Sequence, residues 1–491
     1  MPRHLPVLPN QPASSLNKDG TRNFVHPADV SGRFTNVRWV VFAVLMVIYL
    51  VLPLIQIGGR PAVFLDVEHR RFFLFGGSFN AQDFWLVFFL LTGLAFVLIV
   101  VTTLWGRVWC GYACPQTVFL EGVYRRIERF VEGPRNERMK RNAGPWNAGK
   151  TGRKIAKHTL FVLFSLFFSH FFLSYFVSLP SLLDMMQRSP SEHPQAFAWM
   201  AVMSAVLYGN FAWFREQMCL IICPYGRLQS TLTDRDTLVI GYDVGRGEPR
   251  GKKKPLSARD QGEQARRLVS SPSGEGTNGD AEGVGDCVDC GRCVHVCPTG
   301  IDIRNGLQLE CIGCAACVDA CDDVMTKLKR PTGLIRYDSQ RRFDDPSIPK
   351  KIFRPRLLIY VAVFVAWVVG MVFALRSHEP FAANLLRPPG GTPYVVEDDL
   401  VRNTVQVHLV NKTDHDVTYH LEAVEDPAVP FEYVLPMPEV ELAGGADRHV
   451  PVIVRLPEDA MRRGLSVRLR VRAEDGDEPR ELTATFLGPL R

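Results

Sequence analysis

Five long uncharged runs constrain this chain more than any other feature. They stand at residues 39–57, 84–106, 159–179, 196–214 and 357–375, and each approaches the roughly 20 apolar residues a helix needs to cross about 30 Å of hydrocarbon. A multi-pass membrane protein is expected, because 491 residues with so uneven an apolar content do not read as one compact domain. Residues 1–38 are polar and no small-residue cleavage site follows the first run. That run is therefore expected to remain as a membrane helix and not to leave as a signal peptide.

Lys and Arg counts orient the spans, since basic residues are retained on the cytoplasmic side. The stretch 107–158 carries 12 of them, against three in 58–83 and one in 180–195. With five spans this puts residues 1–38, 107–158 and 215–356 in the cytoplasm and the segment from Arg376 across the membrane. The net charge of +6 is then mostly a membrane-orientation signal. The expected partner is the lipid bilayer, with no nucleic acid.

Composition divides the rest. Residues 39–230 form a membrane domain with four spans, and 231–285 a cytoplasmic connector. Within the connector, 246–285 has almost no large apolar residue and reads as a disordered tether. A cysteine-rich module follows at 286–337, then a basic connector at 338–356, the fifth span at 357–375 and a C-terminal segment at 376–491. "TVQVHLV", "VTYHLEA", "HVPVIVRLP", "LSVRLRVRA" and "LTATFLG" in that segment alternate apolar and polar residues, the pattern of a small β-sandwich. Asn411-Lys412-Thr413 matches a glycosylation acceptor but reads better as a polar turn between strands.

All 12 cysteines fall into four groups. "CVDCGRCVHVCP" at 287–298 and "CIGCAACVDAC" at 311–321 share the spacing C-x-x-C-x-x-C-x-x-x-C, the ligand pattern of two-cluster bacterial ferredoxins. In that pattern three cysteines of one run and the distant fourth of the other complete each cubane. Cys287, Cys290, Cys293 and Cys321 are thus expected to hold one [4Fe-4S] cluster, and Cys297, Cys311, Cys314 and Cys317 the other. Soft thiolates match cluster iron, and Gly291 and Gly313 give the tight loops their freedom. Asp322 follows Cys321 where Pro298 follows Cys297, a position that ligates nothing. A disulfide framework is disfavoured on a reducing cytoplasmic side. Zinc sites rarely need eight cysteines in duplicated ferredoxin spacing.

The other two groups are C-x-x-x-C-P pairs just past apolar runs: Cys110 and Cys114 in "RVWCGYACPQT", Cys219 and Cys223 in "QMCLIICPYGR". Positions i and i+4 share a helix face, so each pair can present both sulfurs to one point, and the proline marks a break or a new helix. Three readings stay open: buried small apolar residues, dithiol/disulfide couples, or four thiolates converging on a Cu(I)-type site. His170 is the one histidine within a run, with no second axial histidine for a haem, and reads as a polar contact between helices. His158 and His193 read as solvated, and Met185 and Met186 as interfacial apolar contacts.

"WCGYACPQTVF", "CLIICPYGRLQS", "CVHVCPTGIDIRNGLQLECIGCAACVDAC" and "GLIRYDS" together resemble the cytochrome c oxidase accessory protein family known as CcoG, FixG or RdxA. The resemblance covers nearly the whole chain. It implies a bacterial inner-membrane cupric reductase that supports assembly of the cbb3-type haem–copper oxidase. Its fold would comprise five transmembrane α-helices, a cytoplasmic α+β ferredoxin-like module with two [4Fe-4S] clusters, and a periplasmic, all-β immunoglobulin-like C-terminal domain. It also implies copper binding and reduction at Cys110, Cys114, Cys219 and Cys223. Electrons would come from a cytoplasmic donor or the quinone pool, and the partners would be oxidase-assembly and copper-delivery proteins. Two other readings stand beside it: a quinol dehydrogenase of the nitrate-reduction ferredoxin type, and a copper-holding scaffold without redox chemistry.

Overall fold

The computed structural model describes residues 24–251 and 285–489, apart from 58–59, 68–70, 81–83, 377–378, 389, 391, 414, 425 and 477. Among the described residues, five helices are long and apolar enough to cross a membrane. They are Arg33–Val51, Phe84–Trp105, Ala148–Leu173, Pro194–Gly209 with a π-helical turn Asn210–Phe214, and Pro355–Arg376. Val40, Val44, Val47, Leu91, Trp199, Val202, Leu358 and Phe373 on these helices are exposed. Helices apolar all round with such faces uncovered by protein fit lipid surroundings.

The helix ends differ from the uncharged runs. The first helix begins at Arg33, not at residue 39, and ends at Val51, just before Pro53, where a proline cannot continue the hydrogen-bond ladder. Its polar first turns are satisfied by protein groups: Phe34 N and Thr35 N donate to the Asp319 carboxylate at 3.2 and 2.7 Å, and Arg38 Nε donates to Gly111 O at 2.9 Å. An acidic side chain at a helix N-terminus satisfies orphan N–H groups and complements the dipole, by about 1 kcal/mol. The third helix likewise extends N-terminally to Ala148, where its Lys157 and Lys154 pair with Glu132.

Two compact units make up the described chain: one from residues up to Leu54 with Leu91–Trp367, the other from Ile55–Leu90 with the chain from Val368 onward. In the first, strand Leu238–Tyr242 pairs antiparallel with Ile335–Ser339, and the cysteine runs and the helix Ala316–Lys327 pack on this ribbon. The cysteine-rich module is therefore larger than 286–337, since its sheet takes a strand from upstream of the tether. It is seated on the helix ends directly. Thr237 Oγ1 and Arg354 Nη2 both donate to Thr103 O near the end of the second helix, at 3.0 and 2.8 Å.

Of the tether, residues 252–284 lie outside those described. Residues 246–251 are ordered against the module, contrary to the tether reading: Arg246 Nε donates to Asp286 at 2.7 Å, and Gly251 N to Cys287 O at 3.0 Å. Gly285 N returns to Pro249 O at 2.8 Å. The segment leaves and re-enters at one place, so its length does not set the distance between module and membrane helices.

In the second unit, the C-terminal segment is a two-sheet antiparallel sandwich. One sheet runs Glu432–Val434, Asp447–Pro457, Leu400–Asn411, Phe381–Leu386, and the other Glu439–Leu442, Val417–Ala423, Ser466–Ala473, Arg480–Thr485. Every second residue faces the shared core, among them Val405, Val407, Leu409, Val452, Val454, Tyr419, Leu421 and Leu469. Asn411 is fully buried and donates to Leu442 O and His415 O, while Thr413 N donates to its Oδ1, which is the turn role expected of it. The stretch 63–80, between the first two long helices, forms a three-stranded meander, Val63–Asp66, Arg71–Leu74, Gly77–Asn80.

A four-thiol site beneath the iron–sulfur module

Both C-x-x-x-C-P pairs have the same local build. Val108–Tyr112 is a short helix that breaks at Cys114 (φ −63°, ψ 127°), and Pro115 opens the next helix. Met218–Ile222 is a π-helical turn that breaks at Cys223 (φ −65°, ψ 110°), and Pro224 opens the helix Pro224–Leu232. Proline forces the residue before it into extended backbone and is preset for the first helical position. The two cysteines of a pair therefore do not share the face of one continuous helix: the second is the N-cap of a new helix.

The four cysteines nevertheless occupy one neighbourhood. Cys219 lies within the electrostatic reach of Cys114, Cys110 and Cys223, and Cys110 within that of Cys114 and Cys223. Burial pushes the Cys110 thiol up to about 11 and Cys219 up to about 12. It also raises Cys114, against the opposing backbone N–H groups of Gln116 and Thr117. Cys110, Cys114 and Cys219 are therefore costly to ionise alone, so their thiolate form calls for a cation to compensate it.

Residues outside the cysteine spacing cross-brace the pairs. Gln229, fully buried on the helix of the second pair, donates through Nε2 to Cys110 Sγ at 3.3 Å. Gln116, just past the first pair, donates to Arg215 O at 2.9 Å and exchanges hydrogen bonds with Asn210, both on the approach to the second. Arg215 has φ 49°, a left-handed conformation held by its ion pair with Glu128. Gly226 must be glycine-sized, because a Cβ would stand 2.9 Å from Cys219 O. Sequence spacing gave no sign of these roles, although each glutamine lies within six residues of a Cys-Pro step.

The cysteine-rich module sits on this site. A Cβ on Gly111 would lie 2.8 Å from Ile312 O and 2.9 Å from Cys314 Cα, so the chain between Cys110 and Cys114 touches the second cysteine run backbone to backbone. Gly313, at φ 69°, abuts Arg107 in the same way, with 3.0 Å from a Cβ to Arg107 C. Arg107 ties the three segments together: it donates to Gly226 O at 2.7 Å, to Cys311 O at 3.4 Å and to Leu309 O. Arg125 adds a second clamp, donating to Glu216 at 3.2 Å and to Pro298 O at 3.0 Å.

Within the module the thiols fall into two sets. Cys321 is grouped with Cys293, Cys287 and Cys290, around a cavity walled by Val324, Met325 and Leu334. Cys317 is grouped with Cys314, Cys311 and Cys297 and also senses Cys293, which brings the sets close. Burial pushes Cys293 up to about 11 and Cys311 and Cys321 up to about 12. Each set offers four soft sulfurs, the donor set an iron–sulfur cubane needs. The two loops are structural repeats. Asp289 and Gly313 at one position, and Gly291 and Ala315 at another, are all left-handed.

Family models described as "4Fe-4S dicluster domain" and "4Fe-4S binding domain" match residues 214–340 and 85–134, and one described as "IG-like fold at C-terminal of FixG" matches 371–489. The nitrogen fixation protein FixG of Rhizobium meliloti (strain 1021) is 34% identical over 442 residues, covering 83% of this chain and 80% of that protein. The chain belongs to the FixG/RdxA family. Protein RdxA of Cereibacter sphaeroides is 33% identical over 472 residues (93% of this chain, 91% of RdxA), and RdxB of the same organism 34% over 465 (91% and 89%). This FixG/RdxA chain is an iron–sulfur protein of oxidoreductase type with an immunoglobulin-like C-terminal domain. Both C-x-x-x-C-P pairs fall inside regions matched by 4Fe-4S models.

The histidines sort differently from expectation. His170 Nδ1 bonds Leu166 O of its own helix at 2.7 Å, so it makes no interhelical contact through that atom. His158, expected to be solvated, is the one that bridges helices, with its Nδ1 2.9 Å from Tyr208 OH. His193 precedes the fourth long helix, and Met185 and Met186 lie on the helix Leu179–Gln187.

Proposed function

We propose that this chain is a membrane-bound cupric reductase in which electrons from the iron–sulfur module reduce Cu(II) to Cu(I) at Cys110, Cys114, Cys219 and Cys223, in support of cbb3-type oxidase assembly. The observation that carries this reading is the backbone contact of Gly111 with Ile312 and Cys314, which puts a half-buried group of four thiols directly against the second cysteine run. In this proposal Cys287, Cys290, Cys293 and Cys321 hold one [4Fe-4S] cluster, and Cys297, Cys311, Cys314 and Cys317 the other. When bound, such clusters supply one-electron carriers, and the substrate ion takes one electron per turnover. Converging thiolates suit Cu(I) better than Cu(II), so the site favours the product oxidation state. Arg107, Gln116 and Gln229 hold the pairs in register with the module. Electrons enter from a cytoplasmic donor or the quinone pool, and Cu(I) passes to copper-delivery proteins.

Gly111→Val tests the contact. A side chain there must push the second cysteine run away, and single-turnover Cu(II) reduction by chemically reduced protein is expected to slow by roughly a hundredfold, on the scale of an ångström misplacement, with iron content retained. An unchanged rate with iron intact would show that the contact does not serve electron passage.

The proposal includes sidedness, with the module cytoplasmic and the sandwich periplasmic in the inner membrane. Arg71, in the loop after the first long helix, donates to Gly445 O of the sandwich at 2.7 Å, which supports a common side for those two segments. Alkaline phosphatase fused at the C-terminus is expected to be active, and fused after Asp260 inactive. The reverse pattern would invert the topology.

A further inference from the structure

A cluster on the outer face of the sandwich takes no part in the chemistry above. His408 lies on the central strand Leu400–Asn411, and the register sets it opposite His449 on Asp447–Pro457. Directly paired residues project to the same face, and here the imidazoles stack with centroids 4.3 Å apart and planes 7° apart. Asp447, two residues before His449, shares that face, and its Oδ2 lies 3.1 Å from His408 Nε2. One donor atom from each of the three comes within 4.8 Å of the others. Val407, Leu409 and Val450, beside them in sequence, are buried in the sandwich core, so the strands that carry the three donors form a stiff frame.

We propose that His408, Asp447 and His449 form a surface site for a divalent transition-metal ion, with Cu(II) bound most tightly. Two imidazoles and a carboxylate suit Cu(II), Ni(II) and Zn(II), and the stability order of divalent ions places Cu(II) first. Such an ion holds its donors at about 2.0–2.2 Å, and hence roughly 3–4 Å from one another; because a ring nitrogen's lone pair lies in the ring plane, the stacked imidazoles must turn about their Cβ–Cγ bonds to converge on it. The remaining coordination positions face solvent, since Asp447 and His449 are exposed. This site takes the oxidised ion through nitrogen and oxygen, whereas the membrane-edge thiols suit Cu(I), and its existence does not depend on the reductase reading.

Tag-free full-length protein in detergent, with its thiols alkylated, is titrated with Cu(II) sulfate and followed by electron paramagnetic resonance. The expected result is a stoichiometric signal with hyperfine splitting from two imidazole nitrogens. The His408→Gln/His449→Gln variant is expected to lose that splitting and to bind at least about 100-fold more weakly, since losing ligands costs no less than losing their outer-shell supports. His415→Gln, which alters a histidine paired with Asp475 on the same domain, is expected to keep both. Absence of stoichiometric binding by the wild type would overturn the proposal. So would an unaltered spectrum in the double variant, or displacement of Cu(II) by equimolar Zn(II).

Discussion

Glu128→Gln is expected to destabilise the protein by about 3–5 kcal/mol, the cost of breaking a buried ion cluster by removing one partner. Glu128 is 2% exposed and pairs with Arg215, with Arg138 at 3.3 Å and with Lys157 at 3.7 Å. Burial alone would raise its pKa, but Arg215, Lys157 and Arg138 outweigh that and hold it at about 2, below the ordinary 4.5. A carboxylate with a depressed folded-state pKa contributes stability that is present above its unfolded value and lost as pH falls through its folded value. Wild-type protein should therefore lose this contribution between about pH 4.5 and pH 2, and Glu128→Gln should lack it at every pH. Thermal unfolding in detergent at pH 7 and near pH 3 measures both. A variant that melts with the wild type at pH 7 would show that the cluster is not what holds Arg215.

That cluster marks where the sequence stopped being legible. The five helices were visible because lipid-facing segments must be apolar along their length, yet their ends moved wherever charged residues are satisfied by protein and not by water, as at Arg38 and Lys157. The period-two pattern revealed the sandwich, while the meander at 63–80 is not announced by its Phe75-Gly76 turn, which has a glycine at only one of its two positions. Ferredoxin spacing gave the two cysteine runs, because three ligands on one tight loop fix their own separations. The shared neighbourhood of the four membrane-edge thiols, their bracing by Gln116 and Gln229, and the seating of the module through Arg107, Arg125 and Asp319 arise from long-range contacts. Thr35 and Asp319 are 284 residues apart, and nothing in local spacing announces such a pair.

Serine replacement of the membrane-edge cysteines should have the largest effect on activity. Ser is a hard, weakly basic ligand that cannot hold Cu(I) as thiolate does, while its size preserves the packing around Gln229 and Gly226. Cys110→Ser/Cys114→Ser and Cys219→Ser/Cys223→Ser, each compared with the wild type, separate the readings of this site. A quinol dehydrogenase would oxidise quinol without thiol-dependent copper turnover, and a scaffold would do neither. Iron content reports independently on the cysteines. Two cubanes give about eight atoms per chain in anaerobically purified protein, whereas a third cluster at the membrane edge would give about twelve in the wild type and about eight in the variants. The most direct measurement is Cu(II) reduction by chemically reduced protein, followed as Cu(I)-chelator absorbance. Both double-serine variants are expected to lose it while retaining about eight iron atoms per chain. Normal copper reduction in both, with iron intact, would remove these four cysteines from the chemistry.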